Sequence, residues 1–174
     1  CHIRQTAGIY WAAQEMYNLA SIIEVAASMG VDVSSALDRL KRCFEHLISS
    51  DAEPSSVLLF DEIYGGVVAQ RSCTFSNFGN YMYNDHHFHY GYIIHAAAVV
   101  ARYDVGEVWS TTHEPYVLEL VRDIANPSYN DSRFPFMRYQ DTFLMYGMAT
   151  GLDHSQDGKN RESTSEEQHA WYGI

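Results

Sequence analysis

The stretch from Ile93 to Ala101 constrains the fold more than any other part of the chain. It reads as the body of a helix running from about Asp85 to Tyr103, with Asn84 as its N-cap. That body is apolar on nearly all sides, and such a helix has to be enclosed by others. The enclosing helices are legible by the same periodicity. Residues 10–29 carry Ala12, Met16, Leu19, Ile23 and Ala26 at helical spacing, with Gly30 as a stop. Residues 35–49 carry the stripe Leu37, Leu40, Phe44 and Leu47, and the short link Val31–Ser34 implies antiparallel packing. Pro115 is a favoured first-turn residue and predicts a fourth helix to Ile124. A fifth, weaker helix is expected over Tyr139 to Thr150, and a sixth from about Thr164. Between them, Val57–Phe60 suits a strand, Tyr64–Val68 a turn and its return, and Ser72–Tyr83 an ordered loop. A bundle, a solenoid and part of a double ring of helices all satisfy this mainly helical pattern.

Several classes are excluded early. Lys plus Arg is 11 against 22 Asp plus Glu, a net charge of −11. A nucleic-acid binder or an anionic-membrane binder needs basic patches, so neither is expected. No stretch reaches the roughly 18 to 20 apolar residues of a bilayer span. The most apolar run, Tyr90–Ala101, is too short and contains His95. No signal-peptide pattern opens the sequence, which begins on Cys1 and ends just inside a helix. It therefore reads as an internal fragment, with any targeting region outside it. Cys1, Cys43 and Cys73 are odd in number and lack C-x-x-C spacing, so neither a zinc ribbon nor a disulfide framework is indicated.

The densest chemistry lies in Tyr83-Asn84-Asp85-His86-His87-Phe88-His89-Tyr90-Gly91-Tyr92, where a loop feeds the N-terminus of the enclosed helix. Three readings compete. A metal site could use Asp85, His87 and His89, but only Asp85 and His89 have the helical i, i+4 spacing, and no second ligand group completes a set. A structural reading makes Asp85 a helix cap and the histidines satisfied core residues. The third is a polar, aromatic-walled ligand site with Asp85 as an acid catalyst. That role needs a second carboxylate, and it conflicts with the helix dipole, which favours the charged form. Burial against Tyr83, Phe88 and Tyr90, or a nearby carboxylate, would have to win.

The second cluster, Asp157 to Glu167, leads a turn into a helix start. Ser163-x-x-Glu166 is a capping box, so Glu166 closing that helix is the structural alternative. If the helix began earlier, Glu162 and Glu166 would repel at i, i+4 on one face, an arrangement best tolerated at a cleft. Two carboxylates across a cleft, one protonated and one ionised, are what glycosidic hydrolysis requires.

The run YNDHHFHYGY (Tyr83–Tyr92), followed by DGKNRESTSE (Asp157–Glu166), resembles glycoside hydrolase family 81, a family of endo-β-1,3-glucanases. DEIYGGVV (Asp61–Val68), FGN (Phe78–Asn80), RDIANPS (Arg122–Ser128) and FPF (Phe134–Phe136) support the likeness, which covers essentially the whole chain. The resemblance implies a mainly α fold: part of an (α/α)6 double ring of helices with short β-hairpin insertions. Residues 1–174 would be the central part of that single catalytic domain, truncated at both ends. Asp85 would be the general acid and Glu162 the general base of an inverting mechanism, with carboxylates about 6.5–9.5 Å apart to admit a water. Glu166 would be a helper. His87, His89, Asp141 and Asn160 would contact substrate, a β-1,3-glucan polysaccharide. No metal or other cofactor is implied, nor any nucleic acid or membrane insertion. The setting would be extracellular or the cell wall, intracellular members also being known.

One segment departs from the family. Where a Gly-His-Ser-Trp-Ala-Ser-Gly type segment is common, this chain has Met145-Tyr146-Gly147-Met148-Ala149-Thr150-Gly151. A stacking indole and a hydroxyl-binding imidazole are absent there, which bears on subsite affinity. Arg161 also stands where Gln is usual, and a cation next to Glu162 would lower its pKa. A glucan-binding receptor or lectin on the same scaffold is therefore the alternative function.

Overall fold

A computed structural model of the chain describes residues 8–49, 56–70, 77–106, 108–152 and 158–174. Cys1, Cys73, the start of the Ser72–Tyr83 loop and Asp157 lie outside the described residues. The described residues form five α-helices: α1 (Ile9–Ser28), α2 (Ser34–Leu47), α3 (His86–Tyr103), α4 (Val108–Ala125) and α5 (Thr164–Gly173). Two small antiparallel hairpins accompany them, β1 (Leu58–Asp61) with β2 (Gly66–Ala69), and β3 (Gln140–Asp141) with β4 (Tyr146–Gly147). The first runs in register from Leu58 opposite Ala69 to Asp61 opposite Gly66.

The enclosed helix is α3. It packs against α1, α2, α4 and α5, and of its 18 residues only Ala98, Ala101, Arg102 and Tyr103 are not buried. Each large aliphatic side chain buried in this way, such as Ile93 or Ile94, stabilises the fold by about 1.5–3 kcal/mol. Gly91 lets α5 approach closely, since a Cβ there would lie 2.9 Å from the backbone nitrogen of Ala170. The α1 stop is also as expected. Gly30 takes φ 74°. Its N–H bonds Ala27 O while Val31 N–H bonds Ala26 O, the closure that satisfies the last carbonyls of a helix. The stripe of α2, Leu37, Leu40, Phe44 and Leu47, is buried as its spacing predicted.

Four expectations are corrected. First, α4 starts at Val108, not Pro115, and carries that proline inside it. Tertiary contacts pull the start back: Trp109 is buried edge-on to Phe44, and Asp104 accepts the Trp109 N–H at 3.1 Å. Second, no helix forms over 139–150. Asp141 Oδ1 accepts the N–H groups of Phe143 (2.9 Å) and Leu144 (2.8 Å), which a helix would need, and Met145 turns left-handed at φ 60° to close the β3–β4 hairpin. Third, Asn84 is not the cap of α3; Asp85 occupies that position, and Asn84 Oδ1 accepts Gly151 N–H at 2.8 Å. Fourth, Cys43 is disulfide-bonded, where the cysteine count and spacing indicated no disulfide framework.

Candidate active site

The first motif is held in an unusual backbone. Tyr83 (φ 64°) and Asp85 (φ 61°) are both left-handed, a conformation costly for residues with a side chain. The segment 149–152 over-determines it. Asp85 N–H donates to Ala149 O (2.9 Å), Gly151 N–H to Asn84 Oδ1 (2.8 Å) and Leu152 N–H to Met82 O (2.7 Å). Tyr139 OH donates to Tyr83 O (2.8 Å) from the other side. Gly151 permits this lacing, because a Cβ there would fall 2.3 Å from the Tyr83 carbonyl.

That backbone resolves the conflict over Asp85. An N-cap residue normally sits in the β region and accepts a helix N–H through its side chain. Asp85 is left-handed and makes no such side-chain bond, so the helix N–H groups do not stabilise its anion by capping. It is 8% exposed, and burial first, then the charges of Glu162 and Glu166, push its pKa up to about 8. Asp85 is therefore a protonated acid at neutral pH.

The second motif is joined to the first by one residue. Ala149 O receives Asp85 N–H while Ala149 N–H donates to Asn160 O at 2.8 Å. Lys159 Nζ fastens the same segment through Thr150 O and Gly151 O, both at 2.6 Å. Glu162 follows in a left-handed turn (φ 56°) and is exposed, two residues before α5. The reading of Glu162 and Glu166 on one helical face is thus corrected: Glu162 is not helical. Ser163 caps α5 by accepting Glu166 N–H (3.4 Å), but the return half of the capping box is missing. Glu166 instead turns its Oε1 to two phenols, Tyr10 OH at 2.7 Å and Tyr92 OH at 2.9 Å. Arg161 stands over the Tyr146 ring at 4.9 Å, and no ion pair joins it to Glu162 among the described residues.

The expected substrate contacts fare differently. Asn160 is half-buried, its side-chain oxygen accepting from Thr150 Oγ1 at 3.3 Å. Asp141 serves the β3–β4 turn through Oδ1. His87 and His89 are both wholly buried. His87 lies against Phe88 (4.1 Å) and stacks on Tyr139 (5.2 Å), with no hydrogen-bond partner at either ring nitrogen among the described residues. Burial and the neighbouring His86 push its pKa down to about 3. Asn80 Oδ1 accepts Ala69 N–H, so its amide nitrogen donates to His89 Nδ1 at 2.9 Å. Among the described residues no group of three His, Cys, Asp or Glu is arranged to hold a metal ion.

Three supports were not legible as such. His86 bonds Asp123 Oδ2 (2.6 Å) and Asn80 O (2.8 Å), and Asp123 Oδ1 also accepts Val67 N–H (2.9 Å), tying α3 to α4 and β2. Glu167 is buried beside the exposed first turn of α5, accepting Gly147 N–H (2.8 Å) and Trp171 Nε1–H (3.0 Å). Tyr10 lies on α1, 156 residues from its partner Glu166. The one available signal was Glu167 itself, a carboxylate one position beyond the capping box. Two grooves flank this core. One of about 660 Å³, between α3, α4 and Ile174, lies away from the carboxylates. A smaller one of about 460 Å³, lined by Gln140, Arg161, Glu167 and Trp171, adjoins the second motif and is the more relevant to a ligand.

Comparison with known proteins agrees with this arrangement. Residues 2–174 match the family model described as the glycosyl hydrolase family 81 C-terminal domain. A glucan endo-1,3-beta-D-glucosidase of Arthroderma benhamiae is 36% identical over 173 residues, covering 95% of this chain and 19% of the relative. The primary septum glucan endo-1,3-beta-D-glucosidase of Schizosaccharomyces pombe is 34% identical over 172 residues, covering 95% of this chain and 17% of the relative. A solved structure, a mutant of a family 81 glycoside hydrolase from Clostridium thermocellum, superposes with a TM-score of 0.75 at 30% identity, covering 97% of this chain and 24% of that one. The chain thus spans about a fifth of the length of the curated relatives it matches. With sequence and fold in accord over nearly all of its residues, the chain belongs to glycoside hydrolase family 81.

Proposed function

We propose that this chain is the central part of an (α/α)6 catalytic domain that cleaves internal β-1,3-glucosidic bonds of β-1,3-glucans with inversion. Its relatives named glucan endo-1,3-beta-D-glucosidases support the substrate class. Asp85 donates its proton to the glycosidic oxygen as the bond to the anomeric carbon breaks. Glu162 takes a proton from a water that attacks the anomeric carbon from the opposite face, leaving an α-anomer. Glu166 acts beside them as a helper that orients the base. The observation that carries the reading is Asp85: a carboxyl pushed up to about 8 by burial, facing two further carboxylates. A buried carboxyl that keeps its proton, set near an exposed carboxylate, is the pairing that general acid and base hydrolysis needs. Glu162, exposed on its turn, has the access to water that a base needs.

His87 and His89 act from behind the wall of the site, while Asn160 and Asp141 supply polar groups nearer its surface. An extracellular or cell-wall setting follows from a polymer substrate, and the septum glucanase of fission yeast supports it. No helix among the described residues is long and apolar enough to cross a membrane.

The test is proton NMR of laminarin cleavage by the complete natural protein, following the anomer of the fresh reducing end. Initial α-anomer is expected. Initial β-anomer would mean retention and a covalent intermediate. Binding with no product would point instead to a glucan receptor, with Tyr146, Gly147 and Met148 as the altered subsite.

A further inference from the structure

We propose that Tyr10 and Tyr92 form a phenol clamp that positions Glu166 for catalysis, so that α1 is a working wall of the active site. The proposal rests on the reading of Glu166 as the helper of the Asp85 and Glu162 pair.

The two phenols come from different helices and converge on one oxygen. Tyr10 OH (2.7 Å) and Tyr92 OH (2.9 Å) both donate to Glu166 Oε1. Two donors on one oxygen fix the plane of the carboxylate, and Oε2 has no partner among the described residues. The clamp is itself held rigid. The Tyr10 ring is edge-on to Phe78 (4.9 Å), Tyr92 (5.9 Å) and the buried His89 (5.3 Å). Tyr92 packs on Tyr17 (5.2 Å) and His169 (5.2 Å). His89 backs the ring of Tyr10 from the buried side.

Hydrogen bonds from two donors hold a carboxylate oxygen in one place. Burial and the bond to Glu166 push the Tyr10 phenol up to about 12 and raise Tyr92 further, so both remain donors at working pH. The titratable groups around Glu166 are Tyr10 from α1, Tyr92 from α3, Asp85 at the start of α3, and Glu162 and His169 from its own segment. Without the phenols, the Glu166 side chain is free to leave the position from which it serves the Asp85 and Glu162 pair.

The experiment compares Tyr10→Phe, Tyr92→Phe, the double variant and Glu166→Gln in the complete natural protein. Laminarin hydrolysis is followed from about pH 4 to about pH 9, with thermal melts as a check on folding. For the double variant, kcat near neutrality falls about tenfold with KM little changed, as expected of a misplaced catalytic helper and not of lost substrate binding. If Tyr10→Phe melts early, Tyr92→Phe alone reads the same loss of kcat at unchanged KM. A double variant with wild-type kcat, while Glu166→Gln loses activity, overturns the clamp and leaves the tyrosines as packing. Full activity in Glu166→Gln overturns the reading of Glu166 itself, and the clamp with it.

Discussion

The two carboxylate motifs both sit at the N-terminus of a helix, yet their surroundings are opposite. Asp85 enters α3 at 8% exposure, in a left-handed backbone, without a capping bond. Glu162 precedes α5 on an exposed turn, and α5 is capped in the ordinary way by Ser163. A helix N-terminus normally favours negative charge. At α5 that rule holds, with Glu166 and Glu167 in the first turn. At α3 it is overridden, because desolvation is the largest influence on Asp85 and the neighbouring carboxylates add to it. The difference teaches that a motif's position on a helix does not fix the protonation state of its carboxyl group. Burial does, and burial is set by segments far away in the chain.

The sharpest way to break this comparison is to neutralise each carboxyl in turn. Asp85→Asn and Glu162→Gln each lower laminarin hydrolysis by roughly 10³-fold. Near-wild-type kcat in either variant removes that residue from the mechanism. Their stabilities separate the two environments. Between the ordinary unfolded value of about 4 and its folded value of about 8, Asp85 is protonated only when folded, so stability falls as pH rises through that window. Asp85→Asn relieves this cost and raises stability at pH 8 by on the order of 2–4 kcal/mol in chemical denaturation. Glu162→Gln changes it by no more than about 0.5 kcal/mol, because the side chain is exposed.

The pH profile sharpens the same contrast. Activity of the wild-type protein falls as pH rises through about 8, where Asp85 loses its proton. An alkaline limb well below neutrality would show that Asp85 is not the acid. Smaller effects test the frame around the motifs. A Cβ at Gly147 would lie 2.9 Å from Glu167 Oε1 and 3.2 Å from the His87 ring. Gly147→Ala therefore costs about 1–3 kcal/mol, read as a lowered Tm. Smallest is Arg161→Gln, which loses the contact over Tyr146 and about 0.5 kcal/mol, with little change in kcat.

The reach of the sequence reading differed from element to element. It found α1, α2, α3 and α5 because each combines apolar periodicity with a recognisable stop or start, such as Gly30 or Ser163. The β1–β2 hairpin followed from Val57–Phe60 and the glycines after Tyr64. It failed where a local signal met a stronger tertiary one. Pro115 signals a helix start, but burial of Trp109 and the cap from Asp104 extend α4 beyond it. Over 139–150 the apolar spacing suggests a helix, but the Asp141 side chain captures the N–H groups of a turn. Of the candidate site, Asp85, Glu162 and Glu166 stood out in the sequence because they lie inside two dense motifs. Glu167 carried only the faint signal of a carboxylate just beyond the capping box, and Tyr10 carried none, since nothing distinguishes it from an ordinary helix face.

The sequence by itself determined that this is a mainly helical member of family 81, with one enclosed helix and two carboxylate motifs. Those properties reside in local periodicity and in short runs of residues. Only the tertiary structure decided how the motifs work together. Ala149 bridges Asp85 to Asn160 through backbone bonds that any residue type could make. The phenols on Glu166 arrive from α1 and α3, 156 and 74 residues away. The proton on Asp85 depends on the exclusion of water by neighbours distant in the chain. Such long-range contacts follow from packing and leave no periodic trace in the sequence.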